Sequence, residues 1–471
     1  MVFWIIGGLL ALLAVLCTRA VLCRVRGRKL STKRPAAGAE EQQAYAQRLG
    51  EMIACQTVSV KGTFAPAAFE QLRQVIASLF PEVTRQAELR IFGDDCYMYR
   101  LAGRDPQRNV MVMSHHDVVA AEGAWRYPPF AGTIAEERLW GRGTVDTKTP
   151  LFAEFTALEE LLREGWVPPC NVYLVSSHNE EIAGDGVPLV RQWLEEQHLH
   201  FEWILDEGGA VIDPPMSGIR CKCAMLAVHE KGRYALRLRA AAPTGHGSLA
   251  PQDTPALRMA RLIAQMDRKP PFRRRLHPEV RAMFEGLAPV MNFPMRMVFA
   301  NLWLFGGLLP KLIPALNAQA GAMLGTTCTF RNLQTTPSGD CTAEAFFRCV
   351  RQEDLREELE AFRTMAQAQG VEIDEVLEDE FHRPASLDSE GYRSIRRCVE
   401  RCFDYAACAP FILPAGTDAR HFSDLSDAVI RFAPIDIDAQ QYASVHQQDE
   451  NISLDAIPRA VHFYRELLQG L

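Results

Sequence analysis

Three short apolar runs that end beside acidic or imidazole side chains constrain the fold of this 471-residue chain more than any other feature. The runs cover 109–114 (NVMVMS), 171–177 (NVYLVSS) and 201–205 (FEWIL), and within three residues they are followed by His115, Glu180 and Asp206. Uninterrupted apolar runs of this length are typical of strands buried on both faces. Because the active site of an open α/β sheet lies beyond the carboxyl ends of its strands, the pattern predicts a functional site at that edge.

Helical and strand-like segments alternate along the chain, which predicts an α/β fold with a mainly parallel sheet. Residues 69–80 and 151–164 show helical periodicity, and a last helix is expected at 454–468. Residues 233–239 (RYALRLR) alternate polar and apolar side chains, as in a strand with one wet face, and begin a smaller α+β insert. The predicted divisions are an anchor at 1–23, a linker at 24–40, a catalytic domain at 41–231 and 376–471, and the insert at 232–375.

The N-terminal residues 2–17 (VFWIIGGLLALLAVLC) are apolar without interruption, and Arg19 could snorkel so that the span reaches Cys23. This length is near the lower end of the roughly 17–25 residues that cross a bilayer. Basic residues follow the run between Arg19 and Arg34, which predicts a retained anchor with a cytoplasmic body. A cleaved signal peptide is the alternative, although no basic residue precedes the run and no small-x-small cleavage site follows it.

A second apolar stretch lies inside the insert, at 295–310 (MRMVFANLWLFGGLLP). It is too short to span a bilayer, so it predicts a buried or interfacial helix, with contact to a membrane surface as the alternative.

The net charge of −7 and a pI near 6 do not indicate nucleic-acid binding. Thirteen cysteines without zinc-finger spacing predict reduced, structural thiols.

The polar residues at the predicted strand ends are of the types that bind zinc, manganese or cobalt. His115 and Asp117 form a His-x-Asp pair, in which Asp117 is spaced to orient His115, while His116 would point away. Asp146, between a glycine-containing loop and a predicted helix, could bridge two ions. The adjacent Glu180 and Glu181 indicate split roles, one on a metal and one as a proton carrier.

Several longer motifs carry a family resemblance. The stretch from His115 to Gly186 contains SHHDVV, a Trp-x-x-Pro-Pro-Phe-x-Gly element, LWGRGTVDTK and NEEIAGDG, and LDEGG, EKGR, GHGS, GTDARHF and VHQQDENI follow in order. This set resembles the acetylornithine deacetylase, aminoacylase and carboxypeptidase S family of co-catalytic metallopeptidases, particularly its carboxypeptidase S branch. The resemblance covers most of the chain after the linker. One departure is Asn179, where the family has Asp before the Glu pair.

The resemblance implies a role for each candidate residue. Glu180 would be the general base, Asp117 would support His115, and in LDEGG the family pattern selects Glu207, with Asp206 as the alternative. His246 resembles a lid histidine that reaches the partner subunit's site, and Arg420 is a candidate clamp for a substrate carboxylate. The implied metal ligands are His115, Asp146, Glu181, Glu207 and His446, with Asp146 bridging.

The implied enzyme holds two divalent ions per subunit, zinc first and cobalt or manganese as alternatives. It would cleave an amide bond next to a free carboxylate in short peptides or N-acyl amino acids, and would form a homodimer through the insert as a lid. The alternatives are a deacylase of one N-acyl metabolite and a catalytically silent binding protein. A Rossmann-type oxidoreductase is excluded because no Gly-rich dinucleotide loop follows the first strand.

Overall fold

The computed structural model describes residues 1–242, 253–316 and 318–471. Its strands are β1 Glu88–Phe92, β2 Cys96–Leu101, β3 Asp105–Met113, β4 Thr133–Ala135, β5 Arg138–Trp140, β6 Cys170–Ser176, β7 Trp203–Asp206, β8 Val211–Ile212, β9 Cys223–Glu230, β10 Gly232–Ala240, β11 Thr327–Thr335, β12 Cys341–Cys349, β13 Glu372–Glu380, β14 Ala407–Leu413, β15 Val429–Arg431 and β16 Asn451–Ser453. Its α-helices are α1 Val2–Arg26, α2 Ala39–Ile53, α3 Pro66–Leu79, α4 Pro81–Gln86, α5 Lys148–Arg163, α6 Gly186–Glu196, α7 Pro255–Arg268, α8 Pro278–Leu287, α9 Phe293–Phe299, α10 Leu302–Phe305, α11 Leu309–Leu316, α12 Ala318–Ala322, α13 Gln352–Ala368, α14 Glu390–Cys402, α15 Ala439–Ala443 and α16 Ala456–Gln469. Most of the predicted strands and helices are present, with ends shifted by a few residues. The single helix predicted at 295–310 is wrong, because this stretch is divided among the short helices α9, α10 and α11.

The main sheet has nine strands within the described residues, in the order β1-β2-β6-β3-β7-β15-β9-β14, with β8 paired to β9. The pairs β6/β3, β3/β7, β7/β15 and β9/β14 are parallel, whereas β1/β2, β2/β6, β15/β9 and β8/β9 are antiparallel. The predicted α/β fold is confirmed, but the sheet is mixed rather than mainly parallel. The tight connection between β1 and β2 allows only an antiparallel hairpin, since parallel strands need a long crossover.

Helices cover both faces of this sheet, which explains why its central strands are apolar throughout. Along β3, Val110 and Val112 face a core shared with α5 and α16, while Met111 and Met113 face a second core formed with α6. β6 is buried over its whole length. A strand covered on both sides needs apolar residues at every position, and this is the pattern that the sequence shows.

The predicted insert contains a second sheet with the order β11-β12-β10-β13, four strands in the described part of the chain. Buried and half-buried residues alternate along β12, and α7 and α13 contribute to a core on one face of this sheet. β13 extends to Glu380, past the predicted end of the insert at 375. The helical stretch from α8 to α12 contributes instead to a core that includes residues of β9 and β14, so it packs on the main sheet.

The N-terminal helix α1 is the one helix among the described residues that is long and apolar enough to cross a membrane, with a mean hydropathy of 2.3 over its most apolar window. Most of it is exposed, but Leu16 and Ala20 are buried against the rest of the chain. The amide of Asn301 donates a hydrogen bond to the Leu16 carbonyl at 3.2 Å. Beyond the helix, the guanidinium of Arg28 donates to the carbonyl of Glu400 at 2.7 Å.

Candidate metal centre and active site

The candidate site lies at the carboxyl ends of β3, β6 and β7. These strands are parallel and in register, with Met113 beside Val175 and Val112 beside Leu205. The loops that follow them therefore start at the same edge of the sheet, as expected for an α/β enzyme. They carry the HHD motif at 115–117, the two glutamates at 180–181, and Glu207.

Two further segments reach the same edge through a small three-stranded sheet, β16-β5-β4. Antiparallel pairing of Asn451 with Trp140 brings the loop before β16 next to the loop after β5. The first of these loops carries His446 and the second carries Asp146. His446 has a φ of 60°, a left-handed conformation that is unusual for a residue with a side chain and is often found at functional sites.

Asp146 lies between two imidazoles, one on each carboxylate oxygen. His115 Nε2 is 3.0 Å from Oδ1, and His446 Nε2 is 3.0 Å from Oδ2. The same His446 nitrogen is 3.1 Å from Oε2 of Glu181. Candidate ligand atoms of His115, Asp146 and Glu181 all lie within 4.8 Å of one another. A carboxylate with one oxygen toward each of two ligand groups has the arrangement that a bridging ligand requires.

The donor set fits a metal centre on chemical grounds. Oε1 of Glu181 is buried and receives no hydrogen bond from any residue that the structure describes. Burial favours the neutral acids and holds the pKa values of Glu180 and Glu207 well above their usual range. Hydrogen bonds to Asp146 and Glu181 raise the pKa of His446 to about 10. Clustered buried carboxylates that lack a matching cation are unfavourable, and a divalent ion would stabilise their ionised forms.

Asp117 connects His115 to the glutamate pair. The backbone N–H groups of Glu180 and Glu181 each donate to one oxygen of Asp117 at 3.2 Å. His115 Nδ1 lies 3.3 Å from the Asp117 carboxylate and 3.0 Å from its carbonyl. The Ser59 hydroxyl donates to the same carboxylate, a contact that the sequence analysis missed. The Asp117 carboxylate therefore contacts both the ring of His115 and the loop after β6, a geometry that suits the orienting role predicted for it.

The two acids of the LDEGG motif have different surroundings. Both oxygens of Asp206 accept backbone hydrogen bonds, from Glu207 at 2.9 Å and from Ala419 at 2.8 Å. Glu207 lines the same cavity as Asp146, Glu180, Glu181 and His446, although it is outside the 4.8 Å cluster. Because both Asp206 oxygens are held by backbone N–H groups and Glu207 lines the cavity, the geometry favours Glu207 over Asp206 as a ligand.

His116 points away from the site, as predicted. Its ring stacks on Tyr97 with a centroid distance of 4.3 Å, and its Nδ1 lies 2.8 Å from the Ser176 hydroxyl. Burial lowers the pKa of His116 well below its usual value.

Asn179, the departure from the family pattern, donates to Asp185 at 3.1 Å and accepts from Gly186 N at 3.3 Å. It closes the loop that holds the two glutamates.

The sequence analysis assigned no role to Glu450, although it organises the loop that carries Asp146. This buried carboxylate accepts hydrogen bonds from Arg142 at 2.7 Å, Gly143 N at 3.0 Å, Val145 N at 2.7 Å and Asp146 N at 3.1 Å. The only available signal was its position four residues after the candidate ligand His446, within VHQQDENI. Its partners lie about 300 residues earlier, so no local pattern indicates them.

Arg420 is buried near the site and already has partners. It donates to the Thr417 carbonyl at 2.7 Å and lies 3.3 Å from Glu380. Gly416, four residues earlier, lines the cavity, so the guanidinium is close to the cavity wall. His246, the other candidate that is not a proposed metal ligand, lies outside the described residues.

A cavity of about 740 Å³ adjoins the acidic cluster. Its polar lining includes Asp146, Glu180, Glu181, Glu207 and His446. Most of the remaining lining is apolar and comes from both the sheet and the helical stretch α8–α12; it includes Ile212, Met216, Met225, Met283, Phe284, Leu287, Met323, Phe411, Leu413, Ile435 and Ile437. The cavity can hold an extended apolar group next to the candidate metal ligands.

Comparison with known proteins identifies the family. The model of peptidase family M20/M25/M40 matches residues 111–470. The chain belongs to this family. It is therefore an enzyme of the metallopeptidase and amidohydrolase type, which hydrolyses amide bonds of peptides or N-acyl amino acids, as the sequence resemblance implied.

Individual relatives agree with this membership. An N-fatty-acyl-amino acid synthase/hydrolase, PM20D1 of Xenopus tropicalis, is 28% identical over 98% of this chain and 93% of its own length. A probable carboxypeptidase S-like protein of Dictyostelium discoideum is 26% identical over 90% of this chain and 84% of its own. The solved M20 metallo-carboxypeptidase Sso-CP2 of Sulfolobus solfataricus superposes with a TM-score of 0.65 and 18% identity, covering 90% and 98% of the two chains.

Proposed function

We propose that this M20 enzyme is a two-metal hydrolase of N-acyl amino acids and that the acyl chain of its substrate lies in the apolar cavity. The cavity lining is the observation that supports this choice over short peptides. Its walls are mostly aliphatic, aromatic and methionine side chains, which suit a hydrocarbon chain better than a peptide with polar backbone groups. The name of the Xenopus relative, an N-fatty-acyl-amino acid synthase/hydrolase, is consistent with this substrate class.

In this proposal five residues hold two divalent ions, with Asp146 shared between them. Imidazole and carboxylate ligands suit zinc, with cobalt and manganese as alternatives. Bound ions would act as Lewis acids on the scissile carbonyl and would lower the pKa of the attacking water. The proposed ligands are His115, Asp146, Glu181, Glu207 and His446.

The remaining residues supply proton transfer and orientation. Glu180 takes the proton of the attacking water and delivers it to the leaving amine, because its carboxylate lines the cavity while its backbone is fixed by Asp117. Arg420 is proposed to hold the free carboxylate of the substrate, since the guanidinium lies beside the cavity wall at Gly416. His246 is proposed to stabilise the developing oxyanion from the partner subunit.

A substrate series tests the acyl-chain assignment. We expect kcat/KM to rise with acyl length by up to roughly fourfold per methylene, because burying one CH₂ contributes about 0.8 kcal/mol. Dipeptides with the same C-terminal residue are the matched controls and should react more slowly than the long-chain compounds. Chelation should abolish both activities, and added zinc should restore them. Faster hydrolysis of the dipeptides than of any N-acyl amino acid would contradict the proposal.

We also propose that α1 is retained as a membrane anchor, with the body on the cytoplasmic side. Its C-terminal half is bonded to the enzyme through Leu16 and, just past the helix, Arg28, contacts that a removed signal segment would not need. The basic residues that follow the apolar run support a cytoplasmic body. A reporter fused after Leu471 should therefore behave as cytoplasmic. Digestion of the body by protease outside intact cells, or a mature N-terminus after Cys17, would overturn this.

The four-stranded sheet of the insert is proposed to be a lid that forms a homodimer. One of its edge strands, β11, is largely exposed, and so is β13 at the other edge. Exposed edge strands are open to pairing or packing with another chain.

A further inference from the structure

Exposed apolar side chains are concentrated in one segment beside α1. The segment 293–312, which we name the lip, includes Phe293, Trp303, Leu304, Leu308 and Leu312, and each of them is at least 42% exposed. In the rest of the described chain after α1, exposed large apolar side chains occur singly or in pairs. A concentration of apolar surface on a folded protein marks a site of contact with a partner or a membrane.

The lip and the anchor helix are joined by direct contacts. Asn301 donates a hydrogen bond to the Leu16 carbonyl at 3.2 Å, and Arg19 donates to the Ala300 carbonyl at 3.3 Å. Leu16 is the first buried residue of α1, and Ala20 is the second. Coverage of α1 begins at Leu12, which is half-buried, and α1 packs against the lip and the preceding turn Ala288–Val290.

The length of the free part of α1 decides where the lip lies. Val2 to Ala11 are all exposed and, at 1.5 Å per residue, extend about 15 Å. The hydrocarbon layer of a bilayer is about 30 Å thick. An anchor that spans this layer must therefore bring residues beyond Leu16 into it, together with the part of the lip that packs against them.

The charge distribution is compatible with this depth. The sequence has no Asp or Glu before Glu40, and none between Glu285 and Asp340, a range that includes the whole lip. Lys311 is exposed on the lip, and a lysine can extend its ammonium group to the membrane surface. Arg24 and Arg26 are exposed at the end of α1, where they would meet anionic lipid headgroups.

We propose that the lip is embedded in the leaflet around the C-terminal half of α1 and that acyl substrates enter the cavity from that leaflet. The inner side of the lip packs on the cavity wall, because Phe299 stacks on Phe284 with ring centroids 4.4 Å apart and Phe284 lines the cavity. Phe299, Leu302, Met283 and Phe284 belong to one apolar core. Embedding of the lip depends on the proposed anchor, and the entry route also depends on the proposed function.

Lipid quenching of Trp303 tests the embedding without any assay of activity. The full chain is reconstituted into phosphatidylcholine vesicles containing phosphatidylserine, with or without dibrominated acyl chains, and wild type is compared with Trp303→Phe. Removing Trp303 should remove a component that brominated lipid quenches. Trp193, whose ring packs on Phe92 at the sheet edge, is the matched control, and Trp193→Phe should leave the lipid-quenched component unchanged.

Two results would overturn the embedding. Quenching of Trp303 by aqueous acrylamide instead of brominated lipid would place the lip in water. Protection of Trp303 from both quenchers would mean that a second copy of the chain covers it.

Kinetics test the entry route. The double variant Leu308→Asp/Leu312→Asp should raise the apparent KM for a long-chain N-acyl amino acid in vesicles roughly tenfold, because charge is unfavourable in the bilayer. Hydrolysis of a water-soluble short-chain analogue should not change. Val167→Asp, which changes an equally exposed apolar residue in the loop before β6, is the control and should affect neither substrate. An unchanged KM in vesicles would reject the route. If wild type hydrolyses neither substrate, the proposed function fails, while the quenching result still decides whether the lip is embedded.

Discussion

The position of Glu180 is set by its backbone. Its N–H group donates to Asp117, and the peptide that follows, that of Glu181, donates to the other oxygen of the same carboxylate. The side chain of Glu180 is thus free to act in the cavity while its main chain is fixed on both sides. This arrangement separates the proposed proton carrier from the proposed ligand, although the two residues are adjacent.

We expect Glu180→Gln to lower kcat by roughly 10²- to 10⁴-fold, the usual contribution of a general base, or more. Metal content should stay at the wild-type value, because the amide preserves the size of the side chain and the Asp117 contacts involve only the backbone. Turnover and metal analysis on the same preparation measure both. Near-normal turnover would remove Glu180 from the mechanism.

Glu207 and Asp206 can be distinguished by metal content. Glu207→Gln should reduce the number of bound ions, because its carboxylate lines the cavity. Asp206→Asn should retain them but lower the stability by about 1–3 kcal/mol, because one of two buried N–H groups loses its acceptor. Metal analysis and urea unfolding of the two variants test this. Metal loss in Asp206→Asn alone would reverse the assignment.

At the scale of elements, the strands and most helices could be predicted because their side-chain periodicity is local. Because β3 is apolar at successive positions, its side chains can pack alternately into the cores on the two faces of the sheet. The edges of the main sheet could not be predicted in this way, since the pairing of β1 with β2 depends on the turn between them. The packing of α8 to α12 on the main sheet also depends on surfaces that are distant in sequence.

The same limit applies to the candidate site. Candidate residues at strand ends could be recognised individually from the sequence. Their individual roles came from the family resemblance, which depends on the order of the motifs. Glu450 and Ser59 could not be recognised, because each acts through hydrogen bonds to a distant loop. A residue that only holds a loop of the site in place by hydrogen bonds cannot be recognised from its residue type or from its neighbours in sequence.

The loop between β5 and α5 should depend on Glu450. In Glu450→Gln the buried Arg142 loses its partner, so we expect a loss of stability of about 3–5 kcal/mol. Metal affinity should also fall, roughly 10- to 100-fold, as for other residues that orient ligands. Glu159→Gln is the matched control, since Glu159 also accepts two backbone N–H groups and pairs with an arginine, on α5 near α4.

Both variants are compared by urea unfolding and by metal titration. The control should lose stability and retain wild-type metal affinity. If Glu450→Gln were destabilised while binding metal as tightly as wild type, the loop would not need this residue to position Asp146.

At the scale of the whole molecule, the proposed lid predicts complementation between subunits. His246 lies in the insert, in GHGS, without a nearby carboxylate in sequence. If it acts in the partner's site, mixing Glu180→Ala with His246→Ala under subunit exchange gives mixed dimers with one intact site. Random pairing of equal amounts should then restore about a quarter of the wild-type activity, by the symmetry of an isologous dimer.

The exchange itself is verified with differently tagged subunits. Each variant alone, taken through the same procedure, is the control and should stay inactive. No recovered activity in mixtures that have exchanged would mean that His246 acts within its own subunit or not at all.

The order of strands in the main sheet determines when, during synthesis, the sheet can form. β15 lies between β7 and β9 in space but follows them by about 200 residues in sequence. β7 and β9 are therefore synthesised before β15, the strand that pairs with both of them. His446 and Glu450 are made later still, some 300 residues after Asp146, which both of them contact. Contacts of such long sequence separation slow folding. The centre can thus assemble only after the segment that carries His446 and Glu450 has left the ribosome.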